Sequence, residues 1–161
     1  SVVITNNLGS VTSDAAARLR QLQKLACVAE LAGVGARVLE MTVDYVKTRQ
    51  QFGRPIGSFQ AVQHKLADML LRVEQTTSLG RFAAWAADSD PEQLAATALA
   101  AKGFAGEAIP LVVEQAIQAH GGIGFTYEYD LHLFLRRARV LAALGGSSDS
   151  AYAQLGEQLL A

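Results

Sequence analysis

The feature that most constrains the fold is a helical stretch from Ser13 to about Gln51. Ser13 and Asp14 supply helix-capping chemistry at its start. A helix from Ala15 to Arg49 would be about 52 Å long at about 1.5 Å per residue, whereas a compact domain of this size has a diameter of about 40 Å. Because the helix is longer than such a globule, the sequence predicts an elongated up-and-down bundle.

Two apolar faces run along this stretch, and small residues on it would let a neighbouring helix approach closely. The first face repeats at three, four and seven residues and is predicted to be the seam that packs inside the bundle. It comprises Leu19, Leu22, Ala26, Ala29, Gly33, Ala36 and Val43. The second face comprises Leu25, Val28, Leu31, Val34 and Val38.

Further helices follow, and no alternating strand pattern is present after residue 12. The second helix is predicted from about Ser58 to Asp88, with Ser58 as its cap. The third begins at Ser89–Glu92, where Pro91 fits a first turn, and runs to about Ala119. Pro110 should kink or locally break it. Two short helices are predicted last, at about Leu131–Arg137 and Ser147–Leu160.

These elements predict an all-α protein: an up-and-down four-helix bundle with long helices plus short C-terminal helices. Residues 13–161 would form the bundle domain. Residues 1–12 are uncharged and contain two asparagines and a glycine, which is typical of a strand remnant and a turn.

Composition narrows the function classes. Charged residues make up 18% of the chain, against about 25% in typical domains, which indicates that part of the surface is covered by a partner. The net charge of −1 and the lack of a large basic cluster argue against nucleic-acid binding. No unbroken apolar run reaches the 18 residues of a membrane span.

Cysteine and histidine usage does not suggest a metal site. Cys27 is the single cysteine and lies among apolar neighbours, so we predict a small buried residue. His64, His120 and His132 have no spacing typical of metal ligands. The first residues lack the basic flank and apolar core of a signal peptide, so a reducing, cytoplasmic setting is expected.

A corner between the first two predicted helices carries more than a turn needs. Gly53, Pro55 and Ser58 are explained by a helix end, an exit and a new cap. Packing does not explain the cluster of Arg49, Phe52, Arg54 and Gln60. Arginine suits a phosphate partner because its planar fork makes bidentate hydrogen bonds.

A second segment of interest runs from Gln118 to Tyr129 and contains the glycine-rich loop 120–124. The glycines fit a helix cap followed by a tight loop. They match neither a P-loop nor a dinucleotide fingerprint. Their other use would be to let backbone N–H groups approach a ligand closely.

Taken together, the corner Arg49–Met69 and the stretch Gln118–Arg136 resemble the two most specific signatures of the acyl-CoA dehydrogenase family. The resemblance covers about residues 15–160 and is to the C-terminal helical domain. It implies a four-helix bundle that also mediates tetramer formation, with residues 1–12 as the end of a connection from a middle domain. It implies α,β-dehydrogenation of acyl-CoA thioesters with FAD as the cofactor.

The resemblance also implies which residues bind FAD across a subunit interface. Arg49 matches the pyrophosphate partner, and Gln51, Phe52 and Gln60 match further contacts. On the adenosine side the matching residues are Gln118, Gly121 and Gly122. A later stretch that meets the cofactor in relatives corresponds to Ser147, Ser148 and Asp149.

The family's catalytic glutamate is missing. Its usual position is occupied by Gly145, and an alternative position in the first long helix is occupied by Gln23. Neither side chain can act as a base, although the Gly145 backbone N–H could still polarise a carbonyl. Asp130 and Arg137 also depart from the family pattern, so the acyl chain is not specified.

Two explanations of the missing base stay open. In the first, the chain resembles the silent subunit of a hetero-oligomeric member. In the second, the base lies in another domain or the enzyme acts on an unusual substrate. The resemblance further implies a homo- or hetero-oligomer of dehydrogenase subunits (a dimer of dimers), an acyl-CoA substrate and an electron-transfer flavoprotein as acceptor. These 161 residues alone are expected to be inactive. The alternative function is a structural oligomerisation bundle that no longer binds flavin.

Overall fold

The computed structural model of the chain describes residues 13–160, and the predicted strand remnant at 1–12 lies outside them. Five α-helices fill this part: α1 (Ser13–Thr48), α2 (Gln60–Ser89), α3 (Leu94–His120), α4 (Leu131–Ala143) and α5 (Ser148–Leu160). The first four form an up-and-down bundle, and α5 packs on α3. The all-α prediction is confirmed.

The core is built around α3, which contacts each of the other four helices. Its fully buried side chains include Leu99, Ile109, Val112 and Val113, and each buried aliphatic side chain of this size contributes about 1.5–3 kcal/mol. Close packing leaves no space at Gly35 on α1, where a Cβ would lie 2.7 Å from Ile109 Cδ1.

The stretch Leu94–Phe125 is long and apolar enough to cross a membrane, with a mean hydropathy of 1.3. However, 67% of its most apolar window is buried inside the bundle. Burial on this scale is that of a core helix. The helix runs without interruption through Pro110, so of the predicted kink or local break the break is wrong, and the kink stays a prediction.

The predicted inner seam of α1 is also wrong. Leu19 and Leu22 are exposed, as are Ala26, Ala29, Gly33 and Ala36. The second face is the one that packs inside, with Val28, Leu31, Val34 and Val38 buried. Both faces are apolar and helical in period, so the pattern alone does not distinguish an inner face from an outer one.

The corner after α1 differs from the prediction in its backbone. The helix ends at Thr48, and Gln50–Gln51 (β1) pairs antiparallel with Arg54–Pro55 (β2). Phe52 and Gly53 form the two-residue loop between them with φ of 53° and 78°, as the type I′ hairpin turn requires. Gly53 is therefore a hairpin residue and not the stop of α1.

The other predicted helix starts are shifted. Ser58 lies in a 3₁₀ turn, Ile56–Ser58, and α2 begins after Phe59; Ser58 Oγ donates to Pro55 O instead of capping α2. Similarly, α3 begins at Leu94 after a turn and not at Ser89. The fourth helix continues past the predicted end at Arg137.

Candidate functional site

Two predicted segments meet at one end of the bundle, where α1 and α3 both finish. Tyr45 joins them: its hydroxyl donates to His120 O at 3.2 Å, and its ring stacks on the His120 ring at 4.2 Å. Tyr129 packs edge-on against both rings. The ends of α1 and α3, from which the hairpin and the glycine-rich loop continue, are therefore held together.

The predicted polar residues at this end are exposed. They are Arg49, Gln51, Gln60 and Gln118. No salt bridge of Arg49 is found within residues 13–160. Arg54 differs, because its guanidinium lies 4.1 Å above the centre of the Phe59 ring.

Phe52 stands out from the hairpin with 92% of its surface exposed. A non-glycine residue at positive φ is strained, and an exposed aromatic side chain contributes little to the core. Neither property helps the chain fold, which favours a role in binding for this residue.

The glycine-rich loop forms a 3₁₀ turn, Gly121–Phe125. Gly121 needs its φ of 65°, and Gly124 packs so tightly that a Cβ would lie 2.6 Å from Ile117 O. Gly122 has neither a positive φ nor a close neighbour. A Cβ there would meet nothing within 4 Å. The open space at Gly122 lets another molecule approach the backbone.

Two further predicted positions come together in a different part of the bundle. A Cβ at Gly145 would lie 3.8 Å from Gln23 Cδ and Oε1, and 3.8 Å from Lys24 Cγ. The two positions expected for a base are therefore neighbours, and neither carries a titratable group. Lys24 is buried. Burial is the larger cause that lowers the pKa of its ammonium group, and the positive charge of Arg20 lowers it further.

The stretch after Gly145 begins α5 beside a cavity of about 370 Å³. Ser147 Oγ accepts a hydrogen bond from Ser150 N at 3.3 Å, which caps the helix. Ser148 packs its hydroxyl on α3, where a Cβ at Gly106 would lie 2.6 Å from it. Asp149 is exposed.

The structure does not bring the two groups of predicted cofactor residues together within one chain. Gln23 lies on α1 and Arg49 directly follows its last residue, Thr48; the intervening helix is about 38 Å long at about 1.5 Å per residue. Gly145 contacts Gln23, whereas the hairpin follows Arg49. The predicted cofactor residues of one chain therefore fall into two separate groups, one at the hairpin end and one after Gly145.

A buried lysine beside Gly145 was not predicted from the sequence. Lys102 on α3 is completely buried, and its Nζ donates to Ala142 O at 2.6 Å and Gly146 O at 2.7 Å. Burial lowers its pKa. The available signal was a lone lysine in the otherwise uncharged run 94–106 of α3.

Comparison with known proteins assigns the family. The family model of the acyl-CoA dehydrogenase C-terminal domain matches residues 15–160. The chain belongs to the acyl-CoA dehydrogenase family. It is 43% identical over 148 residues to acyl-CoA dehydrogenase FadE34 of Mycobacterium tuberculosis, a match that covers 91% of this chain and 21% of FadE34.

Solved structures of the acyl-CoA dehydrogenase fold agree. The ChsE4–ChsE5 complex from Mycobacterium tuberculosis is similar with a TM-score of 0.87 and 33% identity, over 92% of this chain and 40% of that one. PigA with FAD and proline is similar with a TM-score of 0.83 and 31% identity, over 87% of this chain and 36% of that one. The chain thus spans less than half of these relatives.

Proposed function

We propose that this chain is the helical domain of an FAD-dependent acyl-CoA dehydrogenase, and that it binds the adenosine and pyrophosphate half of FAD at the hairpin end. Arg49 would pair with the pyrophosphate, with Gln51, Phe52 and Gln60 beside it. Gln118, Gly121 and Gly122 would contact the adenosine side. The open space at Gly122 carries this proposal, because nothing in the fold itself requires a glycine there.

The second group of predicted cofactor residues, which follows Gly145, would bind a different FAD molecule. Ser147, Ser148 and Asp149 follow Gly145, which lies beside Gln23, and about 38 Å of helix separates Gln23 from the end of α1 before Arg49. An FAD bound at the hairpin of one chain would therefore be completed by another chain or domain. That arrangement agrees with the similarity to PigA, a protein solved with FAD, and to the two-component ChsE4–ChsE5 complex.

The acyl-CoA thioester would bind at Gly145. FAD bound there would supply a hydride acceptor for the substrate's β-carbon. The chain's own part is the Gly145 N–H, which can donate to the thioester oxygen. The α-proton must leave to a base from another subunit or domain, because Gly145 and Gln23 offer none. We further propose a cytoplasmic setting and, from the family resemblance, an electron-transfer flavoprotein as the electron acceptor.

The cofactor half of the proposal is tested in the full-length protein by substituting Arg49→Ala and Gln118→Ala. We expect both variants to lose flavin absorbance on gel filtration while their helical content is unchanged. Arg37→Ala on the exposed surface of α1 is the matched control. Unchanged flavin content in both variants would instead support the structural oligomerisation bundle.

The missing base is tested by Gly145→Glu, assayed with and without candidate partner subunits. Gly145 has a φ of 77°, so the new side chain costs about 1–2 kcal/mol of strain. We therefore expect a weak dehydrogenase activity from the variant, and the same from Gln23→Glu, which carries no such strain. Activity of the unsubstituted protein alone would show that the base comes from another of its own domains.

A further inference from the structure

Three alternate carbonyl groups accept hydrogen bonds from side chains of α1 and α3. They belong to Ala142 in the last turn of α4 and to Leu144 and Gly146 in the loop that follows it. Lys102 Nζ donates to the carbonyls of Ala142 and Gly146. Between them, Cys27 Sγ lies 3.8 Å from the Leu144 carbonyl and donates to it. All three oxygens therefore point toward α1 and α3.

Burying the ammonium group of Lys102 beneath this loop carries a large desolvation cost. Lys102 is completely buried, and no acidic side chain pairs with it in the part of the chain that the structure describes. A buried ammonium is tolerated only when its donors are satisfied, and an apolar residue would serve packing at less cost. The buried ammonium of Lys102 is therefore explained by its hydrogen bonds to the Ala142 and Gly146 carbonyls.

Inward carbonyls fix the direction of the neighbouring N–H groups. The carbonyl of one residue and the N–H of the next belong to one planar trans peptide and point in opposite directions, and no cis peptide is found in residues 13–160. The Leu144 and Gly146 carbonyls point inward, so the N–H groups of Gly145 and Ser147 point outward. Neither N–H donates to a backbone carbonyl in that range.

We propose that Lys102 is a positioning residue: it clamps the loop through the Ala142 and Gly146 carbonyls so that the Gly145 N–H faces the substrate. The inference rests on the proposed function, because it takes the thioester carbonyl as the group that the Gly145 N–H meets. Lys102 itself does not touch the substrate. Cys27 assists by holding the peptide that contains this N–H.

The test measures the hydrogen bond directly. An acyl-CoA labelled with ¹³C at the thioester carbonyl is bound to the full-length protein, and the carbonyl stretch is recorded by infrared difference spectroscopy. We expect the bound band to lie at lower frequency than that of free acyl-CoA. Lys102→Met should lose most of this shift, and Lys102→Gln, which keeps a neutral donor, should lie between.

Thr42→Val is the control, because Thr42 is also fully buried and its hydroxyl donates to Val38 O on α1. It should lower stability without moving the band. A band at the wild-type position in either Lys102 variant that folds would overturn the proposal. Absence of any bound band in the unsubstituted protein would overturn the proposed thioester site, which is a distinguishable failure.

Discussion

At the scale of single residues, His120 is the buried group that connects the two segments of the hairpin end. Its Nδ1 lies 2.8 Å from Ala116 O, and a carbonyl only accepts, so Nδ1 carries the proton. Nε2 is buried and has no hydrogen-bond partner among residues 13–160. Protonating Nε2 would bury an unpaired charge, and this burial lowers the pKa of His120.

The lowered pKa predicts an acid-sensitive fold. In the unfolded chain the imidazole takes up a proton near pH 6.5, whereas in the folded chain it stays neutral to lower pH. The unfolded state then binds more protons, so stability is lost as pH falls below about 6.5, by up to about 1.4 kcal/mol per pH unit. Urea unfolding between pH 7 and pH 5 measures this slope.

His120→Phe keeps a ring against Tyr45 and removes the titration, so we expect a flatter slope in that variant. His64→Phe replaces an exposed histidine on α2 and should keep the wild-type slope. Equal slopes in His120→Phe and the unsubstituted protein would show that another group causes the acid sensitivity.

At the scale of elements, periodicity predicted the helices well and their faces less well. The four-helix order was visible because apolar residues recur at helical spacing through α1, α2 and α3. The first apolar face of α1 was predicted to pack inside because an exposed apolar patch has the same composition as a core. The sequence also located the hairpin residues, but Phe52 gave no sign of positive φ, since that conformation is imposed by the pairing of β1 with β2.

At the candidate site, too, the sequence located only some of the residues that the structure brings together. Resemblance pointed to Gly145 and Gln23, and the structure makes them neighbours. It did not point to Lys102, because its importance comes from two carbonyls 40 and 44 residues away along the chain. Contacts between elements so distant in sequence depend on the tertiary packing, which no local pattern contains. Whether the cofactor residues bind FAD stays a prediction.

The hairpin offers a test that separates binding from folding. Phe52→Asn should keep or raise the free energy of unfolding by up to about 1 kcal/mol, because asparagine tolerates the left-handed region and the exposed ring contributes little burial. The same variant should retain less flavin in the full-length protein. Urea unfolding and flavin absorbance measure the two effects.

Gly53→Ala is the companion variant at the other turn position. Its φ of 78° strains an alanine, so we expect a loss of about 1–2 kcal/mol from a residue with no side chain to offer a ligand. If Phe52→Asn destabilises the protein as much as Gly53→Ala does, the aromatic ring is structural and the binding role is wrong.

At the scale of the whole molecule, the two groups of predicted cofactor residues lie far apart, and an exposed apolar face of α1 runs between them. The outward face of α1 borders a groove of about 400 Å³ against α2, lined by residues such as Ala26, Ala29 and Gly80. On α2, Phe82 and Trp85 are exposed and stacked on each other. The proposed sharing of each FAD between two chains would need a surface of this kind.

We therefore expect Ala29→Glu to separate the assembled subunits. Ala29 is exposed in the groove, so a carboxylate there is solvated in the single chain but desolvated without a partner charge in an interface. Sedimentation should show a smaller particle with the helical content of the unsubstituted protein, and flavin should be lost because, under the proposed function, each cofactor is shared between chains. Ser89→Glu, which adds the same charge at the exposed end of α2, should leave mass and flavin content unchanged. An unchanged mass for Ala29→Glu would place the interface on another face, and a reduced mass with full flavin content would show that one chain holds the cofactor by itself.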